Sequence, residues 1–259
     1  MQDFIPLDQQ RSVQSLYTTV GELLTSTKFH IPLNQRQYVW TQDNITAFLR
    51  DVSGLGMPGN FFGQLIFTHK GLNAVDVVDG QQRLTTFTLL GVAIHQASNN
   101  SGVKWRLSRT QTKILEDVLS KGNPRIQGIQ AFPYPEDKQP QTDNPLNYLV
   151  TATLSNFNNR INELIETGRN SPCYKIATNC DQMLQYLLKA DFGQSEFDLL
   201  FKRAFEEIKV LPILFKHNAM ALSLFDGVNA KGRKLSNEEI FKNKFCHIIC
   251  VNPETNEAE

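Results

Sequence analysis

The stretch that decides the fold is Val75-Asp76-Val77-Val78-Asp79-Gly80-Gln81-Gln82-Arg83-Leu84-Thr85-Thr86. Its first part is rich in β-branched side chains and predicts a buried strand that ends at Asp79. Gly80 can adopt the backbone angles that a sharp turn requires. Apolar side chains then recur near helical spacing, at Leu84, Phe87, Leu89 and Leu90. The sequence therefore predicts a strand, a tight turn and a helix in direct succession.

The polar side chains at this junction suit phosphate chemistry. The first N–H groups of a helix and the positive end of its dipole attract anions. Asp79, Gln81, Gln82 and Arg83 add a carboxylate, two amides and a guanidinium, which can hold a metal or water and clamp a phosphate. The alternative is a plain corner between a hairpin and a helix, with Arg83 as a surface residue.

A second segment, residues 33–40, repeats this chemistry. It follows Ile31-Pro32, and proline favours extended backbone in the residue before it. The segment carries an amide, a guanidinium and two aromatic rings, namely Gln35, Arg36, Tyr38 and Trp40. Each aromatic side chain can equally be an ordinary core residue.

Periodicity elsewhere predicts a mixture of strands and helices. A strand at Phe61–Thr68 should pair with Val75–Val78 as a hairpin, and Thr41 should cap a helix whose apolar face is Ile45, Phe48, Leu49 and Val52. Further helices are predicted at Val13–Leu24, from Gln82 to about Gln96, and near 146–167, 174–189 and 195–208. Pro212 predicts that Val210–Phe215 is an edge strand. Residues 122–145 are rich in proline and predict a long loop.

Composition excludes several classes of protein. The chain has 259 residues, 41% of them hydrophobic, which suits one large folded domain or two smaller lobes. Lys plus Arg and Asp plus Glu both number 26, so a nucleic-acid contact would need a local basic surface. No apolar run approaches a membrane span and no signal-peptide pattern begins the sequence, so we expect a soluble, cytoplasmic protein without a membrane partner.

Three other motifs are weak. The four cysteines have no CxxC spacing and predict buried thiols rather than a zinc site with His247. Gly227 and Gly232 have the glycine spacing of a phosphate loop, but Arg233-Lys234 replace the required Lys and Ser or Thr. The sequence shows no metal-finger nuclease motif, so a nuclease centre is not predicted for this chain alone.

One local charge asymmetry exists, between Lys104 and Arg125. This stretch contains six basic residues and only two acidic ones. The first three basic residues are Lys104, Arg106 and Arg109. A solvated helix face is one interpretation, and a contact surface for the DNA backbone is the other.

The sequence resembles the DGQQR-motif domain of modification-dependent restriction proteins, the N-terminal part of GmrSD-type and SspE-type systems. Three blocks carry the resemblance. The first is Ile31-Pro32-x-x-Gln35-Arg36-x-Tyr38-x-Trp40, and the second joins Phe62-Gly63 to Val78-Asp79-Gly80-Gln81-Gln82-Arg83-Leu84-Thr85-Thr86. The third is Phe225-x-x-x-Asn229-x-x-Gly232-x-x-Leu235-Ser236 with Lys242-Asn243.

The resemblance implies an α+β fold, with a small mixed ParB/sulfiredoxin-like sheet, helices and a mainly helical lobe. We expect a DGQQR-containing lobe at 1–98, a helical lobe at 99–208 and a strand–helix return at 209–259 that completes the cleft. The implied function is an NTPase that senses modified DNA in an anti-phage restriction system. Cleavage would come from an HNH-type nuclease domain or subunit, which makes this chain either a sensor subunit or a sensor domain cut from a longer protein.

The resemblance also implies roles for individual residues. Asp79, Gln81, Gln82 and Arg83 are the predicted catalytic residues, and Asp79 would hold Mg²⁺ while NTP is the substrate. The predicted nucleotide and phosphate contacts are Gly80, Thr85, Gln35, Arg36, Asn229 and Lys242. The predicted DNA contacts are Gln35, Arg36, Tyr38 and Trp40, and the local charge asymmetry adds Lys104, Arg106 and Arg109.

Two other functions remain open at this point. The chain could be a DNA-binding module that consumes no NTP while a partner cuts, or a nuclease active on its own. Self-association into a homo-oligomer is also left open, as are the identities of the DNA modification and the nucleotide.

Overall fold

The computed structural model describes residues 13–15, 17–32, 35–54, 61–71, 74–119, 126–127, 144–153, 155–216, 220–222 and 225. These residues form an α+β fold in which one mixed sheet packs against helices. The predicted fold class is confirmed at this level. The finer expectation of a ParB/sulfiredoxin-like sheet stays a prediction.

The described part of the chain contains a sheet of seven strands. They are β1 (Val13–Ser15), β2 (Thr18–Thr19), β3 (Lys28–His30), β4 (Phe61–Gly71), β5 (Ala74–Asp79), β6 (Ile126–Gln127) and β7 (Lys209–Phe215). Their order is β1, β7, β4, β5, β3, β6, and β2 also pairs with β7. β4 and β5 are antiparallel, which confirms the predicted hairpin, whereas β3 is parallel to both β5 and β6. The carboxyl ends of β5, β3 and β6 therefore lie at one edge of the sheet.

The helices of the described residues are α1 (Val20–Ser26), α2 (Gln42–Val52), α3 (Gln81–Ser98), α4 (Arg109–Leu119), α5 (Pro145–Val150), α6 (Phe157–Glu166), α7 (Pro172–Leu187) and α8 (Gln194–Phe201), and π-helical residues Lys202–Glu207 continue α8. Four of these helices, α2, α3, α7 and α8, begin within two residues of the predicted positions, whereas the helix predicted near 146–167 is divided into α5 and α6. The buried face of α2 is the predicted set of Ile45, Phe48, Leu49 and Val52. Among these helices, none has both the length and the apolar character needed to cross a bilayer.

α3 lies at the centre of the core. Every α3 residue except Arg83, His95 and Ser98 is buried. Phe87 of this helix packs edge-on against Phe48, with ring centroids 5.0 Å apart, and against Phe62 at 5.3 Å. A helix buried on all sides is held by its surroundings, so its N-terminal residues have fixed positions relative to the sheet.

One hydrophobic cluster extends from Val20 to Leu214 and includes side chains from most of the elements. The division into lobes at 98/99 and 208/209 stays a prediction. Cys173 and Cys180 are fully buried cysteines, as predicted. Cys246, Cys250, His247, the glycine pair at Gly227 and Gly232, and most of the predicted 122–145 loop lie outside the described residues.

The predicted helix at Val13–Leu24 was wrong. β1 and β2 come first, and α1 begins only at Val20. A reciprocal cap fixes this start, since Glu22 N donates to Thr19 Oγ1 at 3.1 Å and Thr19 N donates to Glu22 Oε2 at 3.0 Å. The segment before Thr19 pairs with β7 instead of continuing the helix.

The prediction that β7 is an edge strand was also wrong, because β7 lies between β4 on one side and β1 with β2 on the other. Pro212 is opposite Leu65 of β4. On its other side, the described partners of β7 in β1 and β2 are opposite Ile213–Phe215 and Lys209–Val210. A proline lacks the N–H of a ladder bond, so it can lie within a sheet only where no such bond is needed from it.

Candidate functional site

Gly80 forms the corner between β5 and α3. Its φ of +104° lies in the region that L side chains rarely adopt. A Cβ at this position would also lie 2.2 Å from Leu65 Cδ2, and Leu65 is buried. Only glycine therefore fits between strand and helix here. Because glycine offers no side-chain cap, the first N–H groups of α3 are not covered by the residue before them.

Asp79 and Arg83 form an ion pair across this corner. Arg83 Nη2 donates to Asp79 Oδ2 at 3.1 Å, and Arg83 Nη1 donates to the Phe62 carbonyl oxygen at 2.9 Å. The side chains are partly accessible, 22% for Arg83 and 32% for Asp79. Burial lowers the pKa of the Arg83 guanidinium, and the neighbouring Asp79 carboxylate opposes that shift. A cation in the first turn of a helix is electrostatically unfavourable, so this end of α3 favours an additional anion.

Gly63 makes room for the Arg83 guanidinium. Its φ is +91°, and a Cβ there would lie 2.6 Å from Arg83 Nη1. Phe62-Gly63 therefore contributes a carbonyl acceptor and an open space rather than a reactive side chain. Phe62 and Gly63 are thus linked to the central motif through their contacts with Arg83.

Gln82 connects α3 to the segment at residues 35–40. Its Oε1 accepts from Val39 N at 2.9 Å and its Nε2 donates to the Gln37 carbonyl oxygen at 3.0 Å. We call this two-bond contact the Gln82 clamp. Gln82 is buried, so the structure gives it a positioning role beside the predicted catalytic one.

Gln35 and Arg36 differ in their environments. Gln35 Nε2 donates to the Val78 carbonyl oxygen at 2.9 Å, one residue before Asp79. Arg36 is exposed and makes no hydrogen bond or ion pair with the described residues. The Gln35 contact and the Gln82 clamp lie on both sides of Arg36 in the sequence, so this exposed guanidinium belongs to a segment that is bonded to the end of β5 and to α3.

Tyr38 is buried at 0% exposure, and its hydroxyl lies 2.9 Å from Thr86 Oγ1. Burial raises the pKa of Tyr38 to about 12. A ring in this position can stack on a DNA base only if the local structure opens, and the DNA contact of Tyr38 stays a prediction. Trp40 is half-buried and packs edge-on against Phe48.

Gln81 and Thr85 are buried polar residues without partners. Gln81 is 5% exposed and Thr85 0%, and neither Gln81 Oε1 nor Thr85 Oγ1 has a hydrogen-bond partner among the described residues. Thr86 and Thr88 on the same helix do bond the carbonyls of Gln82 and Leu84. Buried polar atoms are almost always satisfied. Two unpaired ones, four residues apart on one helix face, therefore indicate a place for a ligand or water.

The predicted catalytic residues surround the α3 N-terminus from different sides. At 100° per residue, Gln81 and Thr85 share one side of α3, Arg83 lies on the opposite side, and Gln82 points between them toward the 35–40 segment. Asp79 joins the Arg83 side through its ion pair. The free end of the helix lies between these two groups.

The predicted basic DNA contacts lie elsewhere. Lys104 Nζ donates to the Ala190 carbonyl oxygen at 2.8 Å, and Arg106 Nη1 donates to the carbonyls of Val103 and Trp105. These residues follow α3, whose 18 residues extend about 27 Å at the helical rise. Lys104 and Arg106 are therefore near the far end of α3 and partly occupied by backbone contacts, whereas Arg109 is exposed at the start of α4.

Two predicted nucleotide contacts, Asn229 and Lys242, lie outside the described residues. Within the described ranges, no group of three or more His, Cys, Asp or Glu side chains is placed to hold a metal ion. At the Asp79 corner a cation would have one protein carboxylate. That fits Mg²⁺ only if phosphates and water supply its other ligands, which is how Mg²⁺ usually binds with nucleotides.

The comparison with family models finds one match. The model of the GmrSD restriction endonuclease, N-terminal domain, covers residues 20–246. The chain belongs to this family. Membership makes it part of a restriction system and confirms the resemblance deduced from the three motif blocks. A comparison with curated proteins found no match.

Sequence reasoning missed one residue that touches the motif region, Asn179 of α7. Its Nδ2 donates to the Trp40 carbonyl oxygen at 2.9 Å and to the Tyr38 hydroxyl at 3.3 Å. No local pattern distinguishes it, because it appears as one polar residue in an amphipathic helix. Its partners are about 140 positions away in the sequence.

Proposed function

We propose that this GmrSD-family domain hydrolyses a nucleoside triphosphate at the N-terminus of α3 and that modified DNA controls this hydrolysis. The observation that carries the proposal is the arrangement around Gly80. A helix end without a side-chain cap lies between the Asp79–Arg83 pair and two buried polar atoms, Gln81 Oε1 and Thr85 Oγ1, that have no partner among the described residues.

The phosphates would bind at the free N–H groups of α3. A helix end and a guanidinium supply the two donors that phosphate groups favour, and both are present within one turn. Arg83 would neutralise charge that develops on the transferred phosphoryl group, and its contact with Phe62 fixes its orientation. Gln81 and Thr85 would bind another polar part of the nucleotide, which would give their unpaired atoms a partner.

Asp79 would position the attacking water or hold Mg²⁺. Arg83 already occupies Oδ2, so Oδ1 would be the oxygen that faces the cation. Mg²⁺, when bound with the nucleotide, supplies charge neutralisation to the phosphates. Gln82 would act by holding the 35–40 segment, and Asn229 and Lys242 would approach from the distal motif.

Modified DNA would contact the exposed cations, with Arg36 nearest the nucleotide. Arg36 has no protein partner among the described residues and is held between Gln35 and the Gln82 clamp. Half-buried Trp40 and exposed Arg109 would extend the surface, together with Lys104 and Arg106. An HNH-type nuclease domain or subunit would cut the DNA.

The test is NTP turnover by the purified chain, with Mg²⁺, against plain, methylated, glucosylated and phosphorothioated duplexes. We expect hydrolysis that one modified duplex changes and that Asp79→Ala and Arg83→Ala abolish. Arg50→Ala, which removes an exposed guanidinium from α2, is the matched control and should behave as wild type. Hydrolysis at the wild-type rate in Asp79→Ala or Arg83→Ala would refute the assignment.

A second function, DNA binding without NTP turnover, is favoured by one observation. The free guanidinium of Arg36 can contact a DNA phosphate directly, without a nucleotide. In that case binding should weaken steeply with salt and no NTP should be consumed.

A further inference from the structure

We propose that Asn179, on α7 and outside all three motif blocks, is a positioning residue that holds the 35–40 segment against the nucleotide site. This inference rests on the proposed NTP turnover for its kinetic part. Its structural part concerns only how the segment is held.

The contacts of Asn179 form a directed chain of hydrogen bonds. Thr86 Oγ1 donates its only proton to the Gln82 carbonyl oxygen at 2.8 Å. The contact between Tyr38 and Thr86 must then be a donation from the Tyr38 hydroxyl. Asn179 Nδ2 in turn donates to Tyr38, at 3.3 Å. The chain therefore runs from Asn179 through Tyr38 and Thr86 to the backbone of Gln82.

The chain ends at the residue that forms the clamp. Gln82 holds Gln37 and Val39 with its side chain, while its own carbonyl accepts from Thr86. Asn179 makes a second, direct contact with the segment through the Trp40 carbonyl oxygen at 2.9 Å. Gln35 is bonded at the other end of the segment, to Val78. Arg36 thus lies on a stretch of backbone whose position depends on bonds from both α3 and α7.

Burial makes this network costly to break. Asn179 is 1% exposed, Tyr38 0% and Thr86 0%. Removing one partner leaves a buried donor or acceptor without a hydrogen bond, and water cannot easily reach that group to take the place of the lost partner. Asn179 Oδ1 already lacks a partner among the described residues, so the side chain keeps its position because of its two donor contacts.

The experiment compares two variants of the network with a control on the same helix. Asn179→Leu and Tyr38→Phe each interrupt the chain. Gln182→Leu is the control, because Gln182 Nε2 also makes two bonds from α7, to Gln42 and Thr46 of α2, and does not touch the 35–40 segment. Each variant is measured in the full chain at a temperature where its unfolding is negligible.

The first readout is amide hydrogen exchange of the 35–40 peptide. We expect exchange about three- to tenfold faster in Asn179→Leu and in Tyr38→Phe, the factor that corresponds to one lost hydrogen bond. The double variant should show less than the product of the two effects, because both changes break one chain. Gln182→Leu should leave this peptide unchanged.

The second readout is NTP turnover. The opening constant from exchange gives the fraction of molecules in which the segment is attached. If only these molecules bind nucleotide well, KM should rise in inverse proportion to that fraction while kcat stays near the wild-type value. Unchanged exchange in Asn179→Leu, multiplicative effects in the double variant, or a change in KM that differs from the one exchange predicts would each overturn the proposal. A wild-type chain without any turnover would overturn the proposed function, and exchange alone would then decide how the segment is held.

Discussion

Replacing Gly63 by alanine tests whether the position of Arg83, and not only its presence, determines activity. The new Cβ would lie 2.6 Å from Arg83 Nη1, so the guanidinium must move away from Phe62 and Asp79. The backbone also becomes strained, since φ is +91°. Gly168→Ala separates the two effects, because Gly168 has a φ of +96° and no atom lies within 4 Å of its added Cβ.

The two variants should share the cost of backbone strain but differ in activity. A left-handed conformation costs an L residue about 1–2 kcal/mol, and this cost applies at both positions. Gly63→Ala should lose at most about 1–2 kcal/mol more, because the guanidinium is at the end of a flexible side chain and can yield. Displacing a positioned donor lowers turnover by about 10-fold or more, since complete removal of such a donor costs roughly 100–1,000-fold.

The assay combines denaturant unfolding with NTP turnover for wild type, Gly63→Ala and Gly168→Ala. We expect both variants to be destabilised, Gly63→Ala by at most about 1–2 kcal/mol more than Gly168→Ala, and only Gly63→Ala to lose turnover. Equal turnover in the two variants would refute the idea that Gly63 exists to make room for Arg83. Loss of activity in Gly168→Ala would show instead that backbone strain acts on activity through global stability.

Three further predictions concern the helix starts and the charged surface. Gly80→Ala should destabilise the fold by at least about 2 kcal/mol in denaturant unfolding, because a strained backbone adds to a clash with buried Leu65; a fully stable variant would contradict this. Backbone and side-chain donors of the Thr19 cap hold the pKa of Glu22 below its usual value. The contribution of Glu22 to folding stability is therefore fully present above the pKa of the unfolded state, and it is lost as the pH falls through the lower pKa of the folded state. Unfolding from neutral to acid pH should therefore show a loss of stability that Glu22→Gln reduces, and identical pH profiles would argue against the cap. Arg36→Ala should weaken DNA binding and lower the slope of log affinity against log salt by about 1 if it contacts a phosphate; an unchanged slope in a filter-binding titration would exclude that contact.

The strand–turn–helix core was predictable because its determinants are local. β-branched residues before Asp79, a glycine at the corner and apolar spacing after it each restrict the backbone within a few positions. The hairpin and the α2 face followed from the same kind of pattern. The family could also be inferred from the three motif blocks.

The errors had non-local causes. The apolar spacing around Val13 suited a helix. Val13–Ser15 instead forms a strand, because it pairs with β7, about two hundred positions later in the sequence. Pro212 suggested an edge, but β7 pairs with β4 on one side and with β1 and β2 on the other, and these partners are distant in the sequence. The role of Asn179 was invisible for the same reason, because its partners Tyr38 and Trp40 come together with it only in the folded chain.

The Gln82 clamp has a consequence for which sequence changes the first motif can accept. Gln82 bonds the carbonyl oxygen of Gln37 and the N–H of Val39, which are backbone groups that every residue except proline possesses. The clamp itself therefore places no demand on the side chains at these two positions, which are the unspecified positions in the pattern Gln35-Arg36-x-Tyr38-x-Trp40. An inserted or deleted residue, or a proline at position 39, would break the clamp. The motif fixes the length of this piece of chain as much as its chemistry.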